Sequence, residues 1–156
     1  MTSDTGKFKN IGTALKTKLE GLTYPDSDSK VFKKVLLGFD EEKIKIQGNG
    51  VVAVTYVTGA NEYTETFGRH NVPHYINTIV AYVIKGTSKA KYEKAVTIMD
   101  ILSETLENDP TFYRLEINGK RTVRDTNIVD LDLRLDSVAT KLDTIVIFQL
   151  KHHVFK

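Results

Sequence analysis

The feature that most constrains the fold is the segment of residues 75–84, which is apolar on both of its faces. Successive side chains of an extended strand point to opposite sides, and here the even-numbered and the odd-numbered positions each form a largely apolar row. A strand of this kind is covered above and below, which is typical of the centre of a sheet and not of its edge. The neighbouring segments must therefore supply further strands and a covering layer.

Two other segments have the periodicity of amphipathic helices. Between residues 8 and 22, apolar residues recur at steps of three and four with lysines between them. The second segment, residues 89–108, follows a threonine–serine pair that offers a helix cap, and Asp109-Pro110 ends it. At about 1.5 Å per residue this second helix spans about 30 Å, enough to cross a small sheet.

Further strands are predicted from β-branched runs and from alternation of apolar and polar residues. They cover residues 31–37, 51–57, 112–117, 129–135 and 144–150. Strands grouped on either side of one long helix indicate an α+β domain, because the regular strand–helix alternation of a nucleotide-binding sheet is absent.

We therefore expect a single domain over residues 1–156. Its mostly antiparallel sheet should be packed on one face by the long central helix and by the N-terminal amphipathic helix. Residues 58–73 are polar and long for a plain hairpin connection, so they predict an extended arm or a flexible loop.

Composition excludes several classes of protein. The 22 basic and 20 acidic residues leave a net charge of +2, which gives no reason to expect nucleic acid or an anionic membrane as a partner. The chain has no cysteine, so disulfide scaffolds and thiol nucleophiles are excluded and an intracellular protein is expected. No run of about 18 apolar residues occurs, and we expect neither a signal peptide nor a membrane span.

The residue types that carry catalysis and bind metals are not arranged in a recognisable motif. His70 and His74 are four residues apart, but Pro73 lies between them and the context is not helical. His152 and His153 are adjacent in a strand-like tail, where neighbours point to opposite faces. Nucleophile elbows, phosphate loops and dinucleotide fingerprints do not occur. We expect no enzyme, no cofactor and no metal site.

Three aspartates share one side of an alternating strand. Asp130, Asp132 and Asp136 lie between apolar residues, as the paired acids of a magnesium-dependent nuclease would. A solvated strand face is the commoner explanation of such a pattern, because no matching base or activating lysine follows at a recognisable spacing.

A basic cluster follows the Asn-Gly turn at residues 118–119. Lys120, Arg121 and Arg124, together with Arg114, are able to approach a phosphate group or a negatively charged partner. The chain carries no interleaved aromatic platform there, so a solvated turn is the alternative.

The segment predicted as an arm carries aromatic residues outside any local core. Tyr63 and Phe67 lie in its polar stretch and Arg69 follows them. Apolar rings in such surroundings suit a protein interface, so these three residues are candidates for contact with a partner or with a second copy of the chain.

Two long segments of the chain resemble the tail terminator and minor tail proteins of long-tailed bacteriophages. Residues 69–83 lead from a polar loop into a central strand, and residues 92–112 continue with the long helix. Within that helix, Ile98-Met-Asp100 and Leu106-Glu-Asn-Asp109 occupy the places of the family's aliphatic stretch with an aspartate and its acidic turn. The N-terminal helix and the strand-only C-terminus extend the resemblance over nearly the whole chain.

The resemblance implies a structural virion protein without enzymatic activity or cofactor. Such a protein forms a closed ring, typically a hexamer, which caps the end of the tail tube, ends tube growth and provides the surface for joining the head. The implied partners are further copies of the chain, the tail tube protein and a head-completion or neck protein. DNA only passes through the lumen, which Asp130, Asp132 and Asp136 would suit as lumen-facing acids, and no membrane is involved. The implied location is the virion tail, with assembly in the host cytoplasm.

Three alternatives stay open at this point. A head-completion or neck protein would share the structural role but bind on the head side. A small metal-dependent nuclease would use the three aspartates. A monomeric adaptor would bind one partner through the aromatic residues of the arm.

Overall fold

A computed structural model describes residues 6–38, 50–66, 69–117, 119–137 and 142–154 of the chain. The helices are α1 (Lys7–Glu20), α2 (Lys89–Asn108) and α3 (Pro110–Tyr113). The strands are β1 (Lys34–Leu37), β2 (Val51–Thr66), β3 (Arg69–Lys85), β4 (Glu116–Ile117), β5 (Lys120–Arg121), β6 (Val123–Ser137) and β7 (Leu142–Val154). The predicted α+β class and the mostly antiparallel sheet are confirmed.

The main sheet has five strands in the order β1-β2-β3-β7-β6. The pairs β2–β3, β3–β7 and β6–β7 are antiparallel. The short strand β1 pairs in parallel with β2, which the sequence patterns do not predict, because alternation within a strand carries no information about the direction of its neighbour. Strand β3 lies between β2 and β7, as its two apolar faces predict.

The main hydrophobic core combines side chains from helices and from alternate positions of the strands. One cluster of buried residues includes Ile11, Leu15 and Leu19 of α1, Ala95, Ile98, Leu102 and Leu106 of α2, and Val80, Tyr82, Val146 and Phe148 of the sheet. The Tyr82 hydroxyl donates a hydrogen bond to the Ala95 carbonyl oxygen at 2.9 Å. Burial, followed by the Asp100 carboxylate and Tyr24, raises the pKa of this phenol. A neutral donor therefore ties β3 to α2.

The predicted strand over residues 112–117 is wrong in its first half. The Asp109 side chain accepts a hydrogen bond from the Thr111 amide at 3.0 Å and caps a short helix that begins at Pro110. Phe112 is buried on this helix, and only Glu116 and Ile117 belong to a strand. The cap and the burial of the ring outweigh the β propensity of the segment.

The strict alternation predicted for residues 129–135 is interrupted at its start. A register shift between Ile128 and Asp130 leaves Val129 60% exposed. Beyond the shift, Leu131 and Leu133 pack against the core, while Leu135 is 57% exposed. The strand also begins earlier than predicted, at Val123, and it forms one edge of the sheet.

Candidate functional site

Strands β2 and β3 form a hairpin that is longer than the rest of the sheet. They pair from Val51 opposite Ile84 to Thr66 opposite Arg69. Among the described residues, strand β7 pairs with β3 from Tyr75 onwards, and β1 pairs with β2 over residues 52–55. Within the described ranges, residues 62–66 and 69–74 therefore extend past the paired part of the five-stranded sheet as two strands, which we call the arm. At about 3.3 Å per residue the arm projects by about 20 Å.

Only part of the predicted interface on the arm can be placed. Tyr63 lies opposite Pro73, and Arg69 lies opposite Thr66 in the hairpin register. The side chains of Tyr63 and Arg69, and Phe67 as a whole, lie outside what the structure describes. A role of these three residues in an interface stays a prediction. The structure contributes to it only the backbone path of the arm on which they lie.

The arginines of the predicted basic cluster are brought to one groove. Arg114, Arg121 and Arg124 line a groove of about 850 Å³ between the C-terminal end of α2, the β4–β5 hairpin and the start of β6. The guanidinium of Arg114 lies over the Tyr113 ring, 5.3 Å from its centroid. Lys120 is exposed on the same hairpin but does not line the groove.

Acidic residues offset most of the positive charge of this groove. Glu107 and Asp125 also line it, and Glu116 lies directly opposite Arg121 in the β4–β5 pair. Arg121 and Arg124 each already interact with other groups of the chain. The groove thus resembles a locally compensated polar surface more than a phosphate clamp.

The predicted acidic face lies on β6, on the side of the sheet away from the main core. Asp130 is opposite Gln149 and Asp132 is opposite Ile147 in the β6–β7 register. The Asp132 carboxylate accepts a hydrogen bond from Nε of Arg134 at 2.9 Å, and the two half-exposed side chains form an ion pair. The side chain of Asp136 is not among those described. Among the side chains that are described, no three acids or histidines gather as a metal site would require.

A buried histidine is the polar feature that the sequence patterns miss. His152 is fully buried on β7, with its Nε2 2.7 Å from the Thr78 hydroxyl of β3 and its Nδ1 2.8 Å from the Thr126 hydroxyl of β6. The Thr126 hydroxyl in turn donates to the carbonyl oxygen of Tyr113 at 2.9 Å. Three neighbouring strands and the short helix α3 are thereby joined by one chain of hydrogen bonds.

The direction of each hydrogen bond around His152 follows from the number of protons that the hydroxyl groups and the ring can donate. A hydroxyl has one proton, and Thr126 gives its proton to Tyr113, so it accepts from an Nδ1–H of His152. The other ring nitrogen of His152 is then an acceptor, and the Thr78 hydroxyl donates to it. The arrangement requires a neutral ring, and burial lowers the pKa of His152 to about 4.

The adjacent His153 faces the other side of the sheet, as alternation in a strand predicts. Its ring stacks on Tyr75 at 4.9 Å between centroids, and Nζ of Lys151 lies 4.3 Å from the centroid of the same tyrosine. A shared metal between His152 and His153 is thereby excluded by geometry. Alternation within the strand predicts that the two histidines face opposite sides, but which of the two is buried depends on the neighbouring elements.

The described helices include none that is both long and apolar enough to cross a membrane. Comparison of the chain with known protein families and with curated proteins finds no family model and no protein that matches it.

Proposed function

We propose that this chain is a subunit of a ring that caps the end of a bacteriophage tail tube, ends the growth of the tube and presents the surface for joining the head. The observation that carries the proposal is the arm, a two-stranded projection of about 20 Å beyond the described pairing of β3 with β7. The resemblance to tail terminator and minor tail proteins, which residues 69–83 and 92–112 carry, is the reason for proposing a ring on a tail tube.

A projecting hairpin supports a ring because a ring subunit needs two different contact surfaces. In a head-to-tail interface one patch meets another patch of the next copy, and the rotation closes after a fixed number of copies. An isolated two-stranded hairpin is marginally stable in water. The arm therefore gains stability when a neighbouring molecule covers it, and a ring of identical copies offers that cover.

We infer in addition that both long helices cover the same face of the sheet. Support comes from the core, where Leu15 of α1 and Ile98 of α2 belong to one cluster with Val80 and Phe148 of the sheet. The opposite face, which carries Asp130 and Asp132, is then the face that turns towards a neighbour or towards the lumen.

The test of the proposal is the length of tail tubes assembled in the presence of the protein. Purified tube protein is polymerised alone and with the chain added, and the tubes are measured by electron microscopy. We expect added protein to shorten the tubes and to appear as a ring at one tube end. Tubes that grow to the same length with bare ends would contradict the proposal, and a neck protein would produce that result.

Reversal of charge on the acidic face tests the placement of this face in the lumen. DNA slides past acidic walls without binding, whereas lysines would hold its phosphates. We expect Asp130→Lys with Asp132→Lys to slow DNA passage and to lower infectivity of particles that still assemble. Arg134→Glu is the matched control, since it changes charge on the same strand but adds no cation. Unchanged infectivity of the double lysine variant would contradict the placement of these acids in the lumen.

A further inference from the structure

We propose that the second half of strand β6 binds the same segment of a second copy of this chain, forming a symmetrical dimer in solution. Residues 129–135 of the two copies run antiparallel, and backbone hydrogen bonds join the two five-stranded sheets. Here one patch meets the same patch about a two-fold axis, whereas a ring contact joins two different patches. The inference therefore does not rest on the proposed ring, and it describes the protein before it reaches a tube.

The first observation is that the second half of β6 is exposed on both faces. Strand β6 is the last strand of the described sheet, and β7 is its described neighbour. Val129 and Leu135 are 60% and 57% exposed, and Asp130 and Arg134 are exposed as well. With four exposed side chains among seven positions, this stretch is accessible to another molecule.

The second observation is that the stretch lacks the residues that commonly keep a strand at the end of a sheet from pairing. Natural proteins place lysine or proline on such strands or keep them very short. Strand β6 runs for 15 residues, and residues 129–135 contain neither lysine nor proline. The register shift between Ile128 and Asp130 bends the strand, and regular pairing with β7 resumes at Asp130. The regular part beyond the shift is suited to accept another strand.

The third observation is that the charges of this stretch are complementary to themselves in an antiparallel pair. In the register with Asp132 on the two-fold axis, Asp130 of each copy lies opposite Arg134 of the other. Asp130 and Arg134 share a face of β6, because they are four residues apart beyond the register shift. Side chains directly opposite one another in such a pair are close enough for an ion pair. The contact thus contains two ion pairs between the copies.

The two Asp132 side chains are the like-charged pair at the axis. Each accepts a hydrogen bond from Nε of Arg134 on its own strand at 2.9 Å, so a cation lies beside each carboxylate. The register centred one residue earlier sets Asp130 opposite Asp132 twice. The register centred one residue later gains two ion pairs but sets Asp130 opposite Asp136 twice. Charge therefore favours the register centred on Asp132.

The apolar side chains of the stretch are matched in the same register. Leu131 lies opposite Leu133 on the core face, where both are half-buried and pack against the main core. At either end, the exposed Leu135 of one copy comes to the level of the exposed Val129 of the other. Contact between the copies removes this apolar surface from water. Apolar and charged positions thus agree on one register.

Exchange of charge at the two paired positions tests the inference. In Asp130→Arg each ion pair becomes two facing arginines, and in Arg134→Asp it becomes two facing aspartates. We expect each single variant to dissociate at a concentration about tenfold higher than the unmodified chain, because two attractive pairs become repulsive. An equimolar mixture of the two variants should dimerise like the unmodified chain, since arginine then faces aspartate at both pairs. A chain that carries both changes should dimerise as well.

The masses are measured by light scattering over a range of concentrations, after circular dichroism has established that each variant is folded. The unmodified chain is expected to change from a monomer of 17.6 kDa to a dimer as its concentration rises. Glu104→Arg is the matched control, because it makes the same kind of charge reversal at an exposed position of α2. It should dimerise like the unmodified chain.

Disulfide trapping reads the register directly, because the chain has no cysteine of its own. Position 132 lies opposite itself, so Asp132→Cys alone should form a covalent dimer on oxidation. Asp130→Cys alone should not, because the two copies of that position are about 13 Å apart along the strands. It should instead be trapped by Arg134→Cys. Trapping of Asp130→Cys alone as readily as in that mixture would overturn the inference.

Three further outcomes overturn the inference. They are an unmodified chain that stays monomeric up to its solubility limit, single charge variants that dimerise as readily as the unmodified chain, and a mixture of these variants that fails to restore the dimer. Tube length is measured separately. A monomer that shortens tubes loses only this inference, and a dimer that leaves tubes long loses only the proposed function.

Discussion

Replacement of Phe148 with alanine is expected to lower the free energy of unfolding by about 3–5 kcal/mol. Phe148 is fully buried at the centre of the main core. Its register partners are Val80 on β3 and Leu131 on β6, and its ring lies 6.4 Å from that of Tyr82. Removal of the ring leaves a cavity that two strands and a tyrosine fixed by its own hydrogen bond are unable to close.

The neighbouring residue supplies the control. Ile147 is next to Phe148 on β7, faces the opposite side of the sheet and is only half-buried. We expect Ile147→Ala to cost about 1–2 kcal/mol, since fewer contacts and less buried area are lost. Urea unfolding with both variants measures the two values at a common slope. Equal losses would contradict the assignment of the main core to the Phe148 side of the sheet.

Acidification is expected to remove about 3 kcal/mol of stability through His152 alone. An ordinary histidine has a pKa of 6.5, whereas the pKa of the folded His152 is about 4. The folded protein therefore favours the neutral ring, so the contribution is complete above pH 6.5 and is lost as the pH falls from 6.5 to 4. The size follows from about 1.4 kcal/mol for each pH unit of that interval.

The physical reason is the fixed order of hydrogen bonds around the ring. A proton added to Nε2 would meet the hydroxyl proton that Thr78 already donates to that nitrogen. Thr126 is unable to compensate, because its own proton is given to the Tyr113 carbonyl. The charged ring would also be buried without a carboxylate among its hydrogen-bond partners, which is costly.

Variants of the two adjacent histidines measure this contribution. In His152→Leu we expect a stability loss of about 1–3 kcal/mol at pH 7, because the Thr78 hydroxyl loses its acceptor, together with a flatter pH dependence between pH 6.5 and 4. In His153→Gln the pH dependence should stay close to that of the unmodified chain. Urea midpoints collected across this pH range give both curves. An identical slope in His152→Leu and in the unmodified chain would contradict the assignment to His152.

The elements that the sequence predicted well are those whose signals are local. The strand over residues 75–84 is apolar on both faces, and it is central in the sheet. The helix over residues 89–108 has a cap, a periodic apolar stripe and a terminating Asp109-Pro110, and it forms over these residues. Periodicity and capping act within a few residues, so they are present in the sequence itself.

The candidate site depended on contacts between distant residues. Arg114, Arg121 and Arg124 share a groove, but the acids that offset their charge come from α2 and from the bulged start of β6. The adjacent His152 and His153 differ only in which face of the sheet they occupy, and no local signal tells which face is buried. For the same reason, the sequence left open whether residues 58–73 form an extended arm or a flexible loop. The answer depends on how far the neighbouring strand β7 pairs with β3.

By itself, the sequence of this protein determined that strands flank one long helix, that β3 is central and that no common catalytic motif occurs. Tertiary structure alone decided that β2 and β3 continue together beyond the described pairing with β7, that β6 is the last strand of the described sheet and that His152 is a neutral buried ring. The difference has one physical cause. Secondary structure follows from side-chain order along a segment, whereas edges, burial and protonation depend on which distant segments become neighbours.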